Sequence, residues 1–141
     1  MQRPWPPLLI GGGGKRVLSF AAREADIIGI NATLTSGAIG AGGLSDDGDL
    51  GVDRFDDIEM NIRTFMVNVT DQRTDAMDKI AGAIGVEPSM IEASPFALVG
   101  STQQLVEDLL ARRERWGFSY VIVGAEDIES FAPVVAALSG T

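Results

Sequence analysis

Ile10-Gly11-Gly12-Gly13-Gly14-Lys15 is the segment whose residue types and spacing best suit chemistry. Glycines between a short apolar run and a helical pattern let backbone N–H groups turn toward an anion with no Cβ in the way. The helix that follows contributes the positive end of its dipole at the same spot, and Lys15 contributes a charge. The segment is not a Walker A loop, which needs a glycine where Leu9 stands and a hydroxyl where Arg16 stands. It also misses the dinucleotide fingerprint, whose third glycine would fall at Arg16. Two readings stay open: a generic phosphate nest, or a tight turn between strand and helix. Lys15 likewise reads either as an anion contact or as a solvated first-turn lysine.

Few other reactive groupings survive inspection. The chain has no Cys and no His. Zinc sites of the Cys/His kind, thiol nucleophiles and Ser-His-Asp triads are therefore excluded, and no disulfide can form. Asp46, Asp47 and Asp49 lie close together, but without the alternating ligands and terminal Glu of an EF-hand they read as a solvated loop, so no metal site is expected. Asp56 and Asp57 sit at the N-terminal end of an expected strand and read as structural, since sites in parallel α/β folds gather at the C-terminal strand ends. Asn68 falls near the C-terminal end of the same long strand that holds Arg63 and could line a pocket there. Arg112, Arg113 and Arg115 read as a solvated helix end, and Trp116 as a packing residue. No residue presents itself as a catalytic acid, base or nucleophile.

The elements that must position the glycine segment follow from hydrophobic periodicity. Leu8-Leu9-Ile10, bounded by Pro7 and Gly11, suits a strand buried on both faces. Val17, Leu18, Ala21, Ala22 and Ala25 recur at helical spacing, and Ile27 to Ile30 give a second strand. Residues 32–52 hold six glycines and little periodicity, so a long loop of the functional or disordered kind is expected. A long strand is expected over Ile58–Val69. Next comes a helix capped by Asp71, with Ala76, Met77, Ile80, Ala81 and Ile84 on its stripe and Gly85 at its end. A helical turn over Pro88–Ala93 and an apolar run from Phe96 to Val99 follow. Ser101 then caps a helix that ends at Gly117. Tyr120–Val123 forms the last strand, and a closing helix turns Ile128, Phe131, Ala132 and Val135 inward. Apolar strands alternating with amphipathic helices predict a single α/β domain over residues 1–141, with a parallel sheet covered by helices.

The net charge of −9 argues against nucleic acid or an anionic membrane as partner. No apolar run approaches the roughly 18–20 residues of a membrane helix. The N-terminus lacks a secretory pattern, so a cytoplasmic location is expected and the sequons at Asn31 and Asn68 read as chance.

Pro7-Leu8-Leu9-Ile10-Gly11-Gly12-Gly13-Gly14, followed by Ala21-Ala22-Arg23-Glu24-Ala25-Asp26-Ile27-Ile28, resembles the fifth strand, helix and sixth strand of luciferase-like oxidoreductases. Arg54 to Asn61, Ala97 to Ser101, Leu109 to Arg115, Tyr120 to Val123 and Phe131 to Val135 agree in order and spacing. The branch most similar uses the deazaflavin coenzyme F420; relatives in the same fold use flavin mononucleotide. The resemblance implies the C-terminal half, about four βα units, of a TIM (βα)8 barrel. It implies hydride transfer through the cofactor, with this chain supplying the phosphate-side half of the pocket. Cofactor contacts are implied at Gly11, Gly12, Gly13 and Gly14, and at Asn31 and Thr33 after the sixth strand; Lys15 is added on charge and position.

A whole barrel of this kind runs to about 250 residues. The first four strands, which carry much of the pocket, have no counterpart in this sequence, and the glycine-rich run stands where a crossover helix is usual. A half-barrel exposes two strand edges and an apolar inner face, which points to self-association or to a partner half-barrel. The rival expectation is a non-catalytic assembly module or inactive remnant.

Overall fold

The computed structural model describes residues 5–31 and 55–139. The glycine-rich run 32–52, with Thr33, Asp46, Asp47 and Asp49, lies outside the described residues, as does the side chain of Lys15.

Among the described residues, six strands form two parallel sheets. The larger joins β1 (Leu9–Gly12), β2 (Ile27–Ile30), β3 (Glu59–Arg63) and β6 (Phe118–Ile122), in that order. The smaller pairs β4 (Met66–Val69) with β5 (Ala97–Gly100). The helices are α1 (Lys15–Glu24), α2 (Arg73–Ile84), α3 (Pro88–Glu92), α4 (Thr102–Trp116) and α5 (Ile128–Leu138). Short 3-10 turns at Phe55–Asp57 and Ala125–Asp127 lead into β3 and α5.

In the larger sheet, Ile10, Ile28, Met60 and Phe118 share one register row, and they pack against Leu18, Ala21, Ala22 and Ala25 at α1. Three alanines on that face let the helix lie close to the strands. A close approach also fixes Gly12: a Cβ there would sit 2.6 Å from Val17 Cγ1, inside contact distance. Alternation turns Leu9, Gly11, Ile27, Gly29, Asn61, Arg63 and Tyr120 to the opposite face.

The smaller sheet is a layer covered on both sides. Ala97 and Val99 meet Ala76, Met77, Ala81 and Ile91 of α2 and α3, while Leu98 meets Leu105, Phe131 and Val134 of α4 and α5. Every residue of β5 is buried, as expected of an apolar parallel strand. Arg112 of α4 ties this layer together, donating from Nη1 to the Pro95 carbonyl (3.1 Å) and from Nη2 to that of Ala97 (2.7 Å). Burial pushes its pKa down, Asp108 opposes that shift and Arg73 adds to it. Arg112 is therefore a half-buried clamp rather than part of a solvated helix end. Arg115 stacks over Trp116, which in turn meets Phe118 edge-on.

Several expected boundaries move. The first strand runs on through Gly11 and Gly12, because their backbones continue the parallel ladder with Gly29 and Ile30. The long strand 58–69 is two strands: at Thr64 the chain leaves one sheet for the other, with Thr64 N–H and Oγ1 both donating to the Ile122 carbonyl at 2.9 Å. Phe65 N–H then donates to the Phe96 carbonyl. The N-cap of α2 is Gln72, not Asp71; Thr70 Oγ1 accepts from its N–H. On α5 the buried pair is Phe131 and Val134, whereas Ile128, Ala132 and Val135 are exposed. Gly85 and Gly117 do end α2 and α4 in the left-handed region, with φ of 73° and 75°. Ser101 does form a capping box with Gln104.

Candidate functional site

The strands of the larger sheet are parallel, so their C-terminal ends gather on one side. Four of the residues singled out from the sequence meet there. Gly13 and Gly14 form the turn out of β1, Lys15 opens α1, and Asn31 lies just past β2. Asn31 N–H donates to the Gly12 carbonyl at 3.0 Å, which carries the β1–β2 ladder one step further and brings the two strand ends together.

The glycines divide into two kinds. Gly11 and Gly12 are strand residues, and Gly12 has no room for a Cβ beside Val17. Gly14 is the N-cap of α1 in an extended conformation (φ −98°, ψ 143°), and a Cβ there would meet nothing within 4 Å. Its carbonyl accepts from Val17 and Leu18 N–H, both at 3.0 Å, closing the first helical turn. Among the described residues, nothing accepts a hydrogen bond from the N–H groups of Gly13 or Gly14. The first turn of α1 holds no acidic residue and begins Lys15-Arg16. Donor groups without acceptors, a positive helix end and basic residues together suit an oxyanion.

Sequence reasoning gave Arg63 no functional weight, and the structure gives it a position. One register step beyond the row Gly12–Ile30–Ile62–Val121 come Gly13, Asn31, Arg63 and Ile122, all at the C-terminal ends. The signal was the period-two pattern Glu59, Asn61, Arg63 on one face of β3, obscured by treating 58–69 as one strand. Asn61, by contrast, is structural: the β3–β6 register slips beside it, and its Nδ2 donates to the Tyr120 carbonyl at 3.1 Å. Asn68 is exposed on β4, in the smaller sheet. Asp56 and Asp57 lie exposed ahead of β3, at the far end. Among the described residues there is no cluster of three acidic side chains that could hold a metal ion.

A separate groove of about 390 Å³ lies between α4, β6 and α5, lined by Leu109, Leu110, Phe118, Val121, Phe131 and Val135. It flanks the helix-covered face of β6 and is not lined by any residue of the glycine turn.

No family model matches the sequence, and no curated protein shows significant similarity to it. Among solved structures, the chain is similar to the coenzyme F420-dependent tetrahydromethanopterin reductase from Methanopyrus kandleri. The TM-score is 0.56 and the identity 15%, over 92% of this chain and 48% of that one. The fold is a partial luciferase-like TIM barrel. This partial barrel spans about half the length of the solved chain it matches. Its larger parallel sheet has four strands among the described residues, where a closed barrel of the type has eight. No helix among the described residues is long and apolar enough to cross a membrane.

Proposed function

We propose that this chain is the cofactor-binding, C-terminal half of a luciferase-like oxidoreductase, with coenzyme F420 as cofactor and flavin mononucleotide as second choice. One observation carries the reading: the Gly13–Gly14 turn presents N–H groups with no acceptor among the described residues, beside the N-terminus of α1, at the ligand-binding end of a barrel sheet. The solved likeness, described as coenzyme F420-dependent, supports the choice of cofactor. In this reading Gly13 and Gly14 hold the cofactor's phosphate with Asn31 beside them, and Lys15 and Thr33 are further contacts proposed from the sequence alone. Gly11 and Gly12 support the turn from within β1. The bound cofactor supplies hydride transfer; the protein groups orient it and exclude water. No catalytic acid or base is assigned.

Among the described residues the outer edges of β1 and β6 are unpaired, which favours completion by four more strands. A second copy satisfies both edges at once, because β6 of each copy can pair in parallel with β1 of the other. A separate half-barrel is the other source, and a chain that remains unpaired fits the non-catalytic assembly reading.

The test is titration of the purified chain with F420 and with flavin mononucleotide, followed by fluorescence and thermal shift. Ligand at 100 times Kd stabilises the folded state by about 2.7 kcal/mol. Gly12→Asp is a poor probe, because its Cβ would collide with Val17. Gly14→Asp is a good one: Asp is a favoured N-cap, so the fold is kept while its charge repels phosphate. Cofactor binding lost in Gly14→Asp supports the reading. No shift with either cofactor at millimolar ligand would sink it.

A further inference from the structure

We propose that Arg63 is a second oxyanion site, distinct from the glycine turn, which receives a carboxylate or phosphate of the substrate. The inference rests on the reading of this end of the sheet as the ligand end, and it adds a substrate class: small anionic molecules.

Arg63 is the last residue of β3 and is exposed. It shares a face with Asn61, as Asn61 Oδ1 lies 3.5 Å from where a Cβ on Gly29 would stand, opposite the α1 core. Adjacent strands are about 4.8 Å apart, so Arg63 stands roughly 10 Å from Gly13 with Asn31 between them. That spacing suits two anionic groups on two molecules lying side by side, one at the amides and one at the guanidinium.

No carboxylate among the described residues pairs with Arg63. Its guanidinium instead lies 5.6 Å from the centroid of the Phe65 ring, an exposed aromatic at the same strand end. Stacking of this kind fixes the plane of the guanidinium and leaves its N–H edge for a planar or tetrahedral oxyanion. Glu59, four residues back on the same face, lies about 13 Å away, too far to compete across solvent. The chain carries a net charge of −9, so an anion is not drawn to its surface in general and needs a local cation.

Inorganic phosphate and succinate, titrated separately into ¹⁵N-labelled chain, test this through the arginine Nε–H resonances. The molecule provides its own control, since Arg115 stacks on Trp116 at 4.9 Å on α4, away from the site. The expected result is a saturable movement of the Arg63 resonance with one or both probes while that of Arg115 stays still. The probe that moves it identifies the oxyanion. Arg63→Gln should lower probe affinity roughly tenfold, and Arg63→Lys should lower it less, because a point charge replaces a fork. Gly14→Asp should leave it within about twofold, the two sites being a Debye length apart. Arg63 and Arg115 moving alike, or an unchanged affinity in Arg63→Gln, would overturn the proposal. The wild-type comparison stands even if a variant fails to fold. A parallel F420 titration separates the two readings. Cofactor binding without movement at Arg63 defeats this proposal alone; movement at Arg63 without cofactor binding defeats the cofactor and leaves the anion site.

Discussion

The two parallel sheets differ in how much of their surface the chain covers. Strand β5 is buried along its whole length between α2 and α3 on one side and α4 and α5 on the other. The four-stranded sheet packs one face on α1, while its other face leaves Leu9 and Tyr120 45% and 41% exposed. Parallel sheets ordinarily have both faces covered. The smaller sheet therefore stabilises the chain, and the larger one presents the glycine turn, Asn31 and Arg63.

If that division is right, the costs of substitution should rank accordingly. Leu98→Ala, in the doubly covered layer, should cost about 3–4 kcal/mol in chemical denaturation. Leu9→Ala, on the open face, should cost well under about 1 kcal/mol. Similar losses at both would erase the contrast. Gly12→Ala should cost about 1–3 kcal/mol, because Val17 or the start of α1 must shift. Adding Val17→Ala to that variant should recover part of the loss if the clash is its cause. Ser101→Ala removes one arm of the α4 capping box, where Ser101 Oγ accepts from Gln104 N–H and Gln104 Oε1 from Ser101 N–H. A loss of about 1 kcal/mol is expected, read as a lower thermal midpoint. The smallest effect belongs to Gly14→Ala, within a few tenths of a kcal/mol of the parent, in open space at an extended N-cap. A measured cost above about 1 kcal/mol there would mean that the turn is structural.

Much of this arrangement is legible in the sequence, for reasons that can be traced. Helices with one apolar stripe and a glycine stop, such as α4 between Ser101 and Gly117, show their ends because the cap chemistry is local. Strand runs show their cores but not their limits. Gly11 and Gly12 read as a loop because glycine disfavours strands, yet pairing with β2 holds them in one. The break at Thr64 was invisible because its cause is the Ile122 carbonyl, 58 residues away. Arg112 was misjudged for the same reason: nothing local says that the carbonyls of Pro95 and Ala97 will lie beneath it. At the candidate site, composition and resemblance point to Gly13, Gly14, Lys15 and Asn31, which the structure brings to one end of the sheet. Arg63 is not singled out that way, since its place in the row with Gly13 and Asn31 depends on how neighbouring strands are paired.

The switch of sheets at Thr64 makes the neighbouring pair a gauge. Arg63 belongs to one framework, and Phe65, whose N–H donates to Phe96, is anchored to the other. Their stacking therefore spans the seam between the two sheets, which also share packing through Phe96 and Val121. A change in the angle between the sheets at Thr64 would alter the 5.6 Å separation, and the ring-current shift that Phe65 imposes on the arginine would report it.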